Sequence, residues 1–293
     1  MSFVRTIQIS ALNVAMHNPH STEKYVALLK DANRDKKLVR FSGFNAAMIG
    51  SLSVPKDLQK NKFLTGEIFR FVNIDHELPW FNTLTSEEAT DGDMEKVKIP
   101  EHLLPNFQRI EFVFNPFKHQ LWIITQDRKE SMGITRVAKF FQDVFDQLVN
   151  ERRYPVIEVT PIPDQDKLET ILANKSIEKI KIDLRRPNPD DDEDIQIKWQ
   201  KKLEKLNAKQ IRVEINSVEG EWLVPDEDTK EMARIAANNG NVSVYARDEH
   251  GLPYQESTQE KPLSIHRHVN SEMETSMDVL KRVAIEHQGG VNV

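Results

Sequence analysis

The residues best placed to do chemistry are basic and lie in the second half of the chain. Lys179, Lys181, Arg185 and Arg186 run along and just past one strand-like segment. Lys198, Lys201, Lys202, Lys205 and Lys209 follow on a helix-like one, and Arg247 closes a later strand. At helical spacing Lys198, Lys201, Lys202 and Lys205 fall on one stripe, since residues three and four apart are neighbours on a helix surface. Such a stripe suits a phosphate backbone, because each lysine or arginine that meets a phosphate releases condensed counterions. The plainer reading is a solvated helix face with Glu193 and Asp194 as helical-spacing partners.

Other chemistry is thinly represented. Asp164 and Asp166 before Lys167, and Asp226 and Asp228 before Lys230, resemble the carboxylate–lysine steps of metal-dependent nucleases. Both groups open helices, where acidic side chains cap free N–H groups. The run Asp190–Asp194 lacks the glycine and spaced ligands of a calcium loop. His266 and His268, two apart on a strand, would share a side, but no third ligand stands near them in sequence. His119 sits beside a turn and reads as a packing residue. No glycine-rich phosphate loop, nucleophile elbow or His-Glu-x-x-His helix occurs. No catalytic residue, metal site or cofactor is assigned, and the reading leans away from an enzyme.

Composition sets the frame. The chain has 293 residues, 39% hydrophobic and 29% charged, with a formal net charge of −6 and no cysteine. That excludes disulfides, zinc ribbons and thiol chemistry and suits a reducing cytosol. Apolar runs fall far short of the roughly 20 residues that span a bilayer, and Met1–Ile9 lacks a signal-peptide core, so a cytoplasmic protein is expected. On an acidic body, any nucleic-acid surface must be a local basic patch.

The elements that would position these residues divide at about residue 150. Residues 1–150 read as one α+β unit, organised by the hairpin 107–125. There Ile110, Phe112 and Phe114 alternate, Asn115-Pro116 turns the chain, and Leu121–Ile124 return it. The amphipathic segment Ile134–Leu148 should cover one face of that hairpin. Ser21 or Thr22 should cap a first helix, and Leu38–Ser53 and Phe63–Asn73 read as strands carrying small residues where chains cross closely. Residues 151–293 alternate strand and helix. Val156–Thr160, Ile177–Leu184, Ile211–Ile215 and Val242–Ala246 are the strands, and helices start near Asp164, Asp190 and Pro225. A last helix ends near Glu286. The expected class is α+β: two mixed domains, each a largely antiparallel sheet with helices packed on it.

Two resemblances bear on function. Gly66-x-Ile68, Trp80-Phe81, Ile99-Pro100, Pro105-Asn106, Phe112–Pro116 and His119-x-Leu121 resemble an uncharacterised bacterial family found on mobile elements, which carries no known activity. Ala246–Gly251, followed by an extended stretch and a final helix, is similar to the end of the lambdoid phage exclusion protein RexA. That family implies a cytosolic, dimeric DNA-binding sensor working with a membrane partner to abort phage infection. The resulting expectation is a homodimeric nucleic-acid-binding component of anti-phage or mobile-element defence. It would take DNA in preference to RNA with little sequence specificity, beside a membrane or effector partner. A metal-dependent nuclease and a pure protein-interaction module are the alternatives.

Overall fold

A computed structural model describes residues 4–74, 78–95, 100, 102–127, 130–185 and 194–287. Its organising element is β1 (Val4–Met16), buried almost throughout its second half. After it come α1 (Thr22–Asp35), β2 (Val39–Ser42), β3 (Asn45–Ser53) and β4 (Leu64–Val72). The short pair β5 (Phe81–Asn82) and β6 (Glu87–Glu88) and the single turn α2 (Asp91–Met94) lead to the hairpin β7 (Gln108–Asn115) and β8 (Gln120–Asp127). β9 (Glu130–Ser131) and α3 (Ile134–Asn150) follow. The rest runs β10 (Ile157–Pro161), α4 (Gln165–Leu172), β11 (Ile177–Arg185), α5 (Asp194–Lys205), β12 (Gln210–Asn216), α6 (Glu227–Asn238), β13 (Gly240–Arg247), β14 (Pro253–Ser257), β15 (Ile265–Asn270) and α7 (Ser276–Glu286).

The class is the expected α+β, with antiparallel pairing throughout two main sheets. In the larger sheet the order is β10-β1-β8-β7-β4-β3-β2. One edge of β1 carries two strands end to end. Its first half pairs with β15 (Val4↔Asn270 to Ile9↔Ile265) and its second with β10 (Leu12↔Pro161 to Met16↔Ile157). Both partners come from beyond residue 150. The smaller sheet is β12-β11-β13-β14.

The hairpin is as read, with Phe112 opposite Ile123 and Phe114 opposite Leu121. Its turn is tied by the Asn115 side chain, which accepts from the Phe117 and Lys118 amides at 2.9 and 3.2 Å. His119 adopts φ +56° there and is buried, its ring stacked on Tyr25 at 4.1 Å between centroids. One face of the hairpin packs Ile110, Phe112 and Phe114 against Val137, Phe140, Phe141 and Val144 of α3, as expected. The other face is buried too: Val113, Trp122 and Ile124 lie under Val279, Leu280 and Val283 of α7. Apolar residues at both alternations of β7–β8 demand a cover on each side, and the second comes from the far end of the chain. Leu38–Ser53, read as one strand, is a hairpin, because Gly43 at φ +52° turns the chain between β2 and β3.

Gly66 shows why a small residue is needed on β4. It lies opposite Leu52 on one side and Phe112 on the other. A Cβ there would strike the Phe112 ring and stand 2.8 Å from the Ser51 carbonyl oxygen. Gly66→Val is expected to destabilise by about 2–3 kcal/mol, lowering the melting midpoint by roughly 5–10 °C. An unchanged midpoint would show that β3, β4 and β7 do not pack this closely.

The two sheets meet at a polar seam. Asn13 of β1 donates to the Asn239 side-chain oxygen at 3.1 Å, and the Thr160 hydroxyl of β10 donates to the Asn238 carbonyl at 3.2 Å. The smaller sheet packs Ile180, Ile182, Leu184, Val242 and Val244 against Ala233 and Ala236 of α6 and Leu168 and Ile171 of α4.

Candidate nucleic-acid interface

On β11, alternation sends Ile180, Ile182 and Leu184 into the core and leaves Lys179, Lys181, Asp183 and Arg185 on the other side. The antiparallel register places Glu214 of β12 directly opposite Lys181. Both lysines converge on it: Lys179 reaches one carboxylate oxygen at 3.0 Å and Lys181 the other at 3.2 Å. The Tyr245 ring lies 5.6 and 5.4 Å from the two ammonium groups. The paired ammonium groups hold the Glu214 carboxyl below its ordinary value, and Glu214 in turn raises Lys181. This part of the sheet therefore presents two ammonium groups engaged by one shared carboxylate rather than free lysines.

Three further cations of the sequence reading are engaged as well. Arg247 pairs with Glu178 at 2.8 Å and donates to the Gly251 carbonyl at 2.9 Å. Lys209 reaches Glu158 at 3.7 Å, across the seam between the sheets. Burial pushes the Glu158 carboxyl up, opposed by the charges of Arg185 and Lys209. Arg185 thus sits at the inner end of β11 facing a buried carboxylate, with its backbone N–H donating to the Asn239 carbonyl at 2.9 Å. Arg186 and the side chain of Lys198 lie outside the described residues.

The lysines of α5 differ. Lys201, Lys202 and Lys205 are exposed, and among the described residues none of them forms an ion pair. Leu203 is fully buried and fixes the inner face of the helix, while Trp199 packs partly on the core of the smaller sheet. Glu204, the acidic residue within this stretch, is turned aside by the Asn18 amide at 3.0 Å and the Gln200 amide at 3.2 Å. Lys202 lies 4.4 Å from the Trp199 ring centroid, a cation–π contact that holds its stem against the helix. Among the described residues the helix so displays three ammonium groups without an ion pair on its solvent side. Arg212, 72% exposed in its side chain, pairs with Asp183 at 3.4 Å, on the same side of the smaller sheet as Lys179 and Lys181.

Of the nuclease-like aspartates, Asp164 and Asp226 are helix N-caps, and Asp166 and Asp228 lie in the first turns of α4 and α6. Asp164 accepts from the Lys167 amide at 3.3 Å, and Asp226 from the Thr229 amide at 2.8 Å. Among the described residues no three His, Asp or Glu side chains stand close enough to hold one metal ion.

Carboxylates do meet elsewhere. Glu67 of β4 and Glu111 of β7 lie opposite each other, with Arg109, Asp127 and Ser276, around a cavity of about 270 Å³. Burial raises the Glu111 carboxyl above its ordinary value, Glu67 and Asp127 add to this, and the Ser276 hydroxyl and Arg5 oppose it. A carboxyl with a raised folded-state pKa stabilises the fold below its unfolded pKa and loses that contribution as pH rises through the folded pKa. Glu111→Gln is therefore expected to raise the melting midpoint at pH 8, with the gain vanishing near the ordinary carboxylate value of about 4.3. A gain of equal size at both pH values would remove the electrostatic account.

Among the described residues no helix is long and apolar enough to cross a membrane. The architecture is that of an α+β protein with one large and one small antiparallel sheet. A family model described as a domain of unknown function, DUF4747, matches residues 5–285, and the chain belongs to that family. The match runs through both sheets, so the basic helix and the hairpin belong to one family unit. No curated protein matches the chain.

Proposed function

We propose that the protein binds nucleic acid through the outer face of α5, as a non-enzymatic component of a bacterial anti-phage or mobile-element system. The observation that carries the reading is the trio Lys201, Lys202 and Lys205, exposed and, among the described residues, without ion-pair partners, on a chain of net charge −6. Exposed ammonium groups with no ion pair to break lose little when they meet phosphates, and each contact gains from counterion release. Lys179, Lys181, Lys209, Arg212 and Arg247 would first have to break their carboxylate pairs, so α5 is the working surface. Lysines act as point charges without the planar fork that reads base edges, which favours low sequence specificity.

The phage-defence setting rests on the resemblances of Gly66–Leu121 and Ala246–Gly251, and the latter also favours DNA over RNA, a homodimer and a membrane or effector partner. Fluorescence anisotropy with labelled duplex DNA, single-stranded DNA and RNA of matched length tests the reading. Binding that is tightest to DNA and indifferent to its sequence is expected. Absence of binding to all three at low salt would discard it.

A further inference from the structure

A second cationic surface lies on the larger sheet, where the β3–β4 connection meets the end of α7. The cleft there has a volume of about 590 Å³, within the range of small-molecule sites. Lys60, Lys62 and Lys281 line it, and no carboxylate does. Among the described residues none of the three forms an ion pair. Asp278 lies one helical turn before Lys281, and Asp57 is occupied in the loop, where its side chain accepts from the Lys60 amide at 3.1 Å. The Ser53 and Thr65 hydroxyls, from residues paired across β3 and β4, supply neutral polar groups to the wall.

The loop is pinned at both ends. Leu58 packs on the core beneath α3, and Phe63 is buried in the core beneath α7. Lys60 and Lys62 are thereby held beside Lys281 although some 220 residues separate them in the chain. Three lysines line one cleft whose wall carries no carboxylate, Asp278 acting on Lys281 from its own helix, and a multiply charged anion would meet all three charges at once. Phe63 on the floor and Ile285, 61% exposed, on the wall give the same cleft an apolar side.

We propose that this cleft binds a phosphate ester carrying a flat ring: a free nucleoside polyphosphate or the 5′-phosphorylated end of a nucleic-acid strand. The lysines take the phosphates, and Phe63 and Ile285 take the ring. The site is separate from α5 and does not depend on the reading of that helix.

Titration calorimetry with ATP, inorganic pyrophosphate and adenosine tests it. ATP should bind saturably and adenosine far more weakly. Each of Lys60→Ala, Lys62→Ala and Lys281→Ala should weaken ATP about fivefold, as for partly exposed charge pairs. An oligonucleotide with and without a 5′-phosphate, offered to protein carrying Lys201→Ala, Lys202→Ala and Lys205→Ala, separates the two phosphate sources. Lysine-dependent binding of ATP or of the 5′-phosphorylated end supports the proposal. It is overturned if adenosine matches ATP, if the triple Lys60, Lys62 and Lys281 variant keeps wild-type affinity, or if no phosphate ligand saturates. Loss of ATP binding in the α5 variant would equally contradict it, whatever that variant does to long nucleic acid.

Discussion

Phe141→Ala is expected to cost about 3–5 kcal/mol and to lower the melting midpoint by roughly 10 °C. Phe141 is fully buried. Its ring meets Phe112 edge-on at 5.5 Å across the helix–sheet interface, and Phe140 and Phe145 along its own helix at 5.1 and 5.7 Å. Aromatic pairs at these separations add about 0.5–1.5 kcal/mol each beyond the area they bury. Truncation leaves a void between α3 and the β7–β8 hairpin that the helix and a sheet backed on its other face by α7 cannot close. Leu84, 94% exposed, is the internal control, since its replacement by alanine should leave the midpoint within about 0.5 kcal/mol equivalent. If thermal melts place the two variants together, α3 does not cover the hairpin.

Charge reversal on α5 carries the largest expected effect on binding. The triple variant Lys201→Glu, Lys202→Glu, Lys205→Glu removes three phosphate contacts and puts three carboxylates against the phosphate backbone. At low salt this should weaken binding by about 100- to 1000-fold, taking roughly 1 to 1.4 kcal/mol in all for each reversed lysine. All three side chains point to solvent while Leu203 stays buried, so the fold is expected to survive. The companion variant Lys179→Ala, Lys181→Ala removes two lysines already compensated by Glu214 and should change affinity only about twofold. Equal losses from both variants would place the interface on the sheet instead of the helix.

Much of the architecture is legible in the sequence because local period dictates it. Ile110, Phe112 and Phe114 alternate, and α3 repeats apolar residues at helical spacing, so hairpin and helix follow without long-range information. Ser21, Asp164 and Asp226 cap helices as their types and positions imply. What local pattern cannot supply is pairing across distance. Nothing in Val4–Met16 announces that its free edge will be shared by β15 and β10. Nor does the alternation that sets Val113, Trp122 and Ile124 on the other face say that α7 is the second cover.

The same limit governs the site. The lysine stripe of α5 is visible from spacing alone. The neutralisation of Lys179 and Lys181 depends on a register that sets Glu214 opposite Lys181, and that of Lys209 on a buried Glu158 from another sheet. The cleft of Lys60, Lys62 and Lys281 joins opposite ends of the chain and has no local signature.

The salt dependence of DNA binding tests the central claim most directly. Each lysine that meets a phosphate contributes about −0.9 to the slope of log affinity against log salt concentration. Wild-type protein should therefore show a slope steeper by about 2.7 than the Lys201→Ala, Lys202→Ala, Lys205→Ala variant. A variant slope equal to the wild type would contradict the assignment of α5 as the nucleic-acid interface.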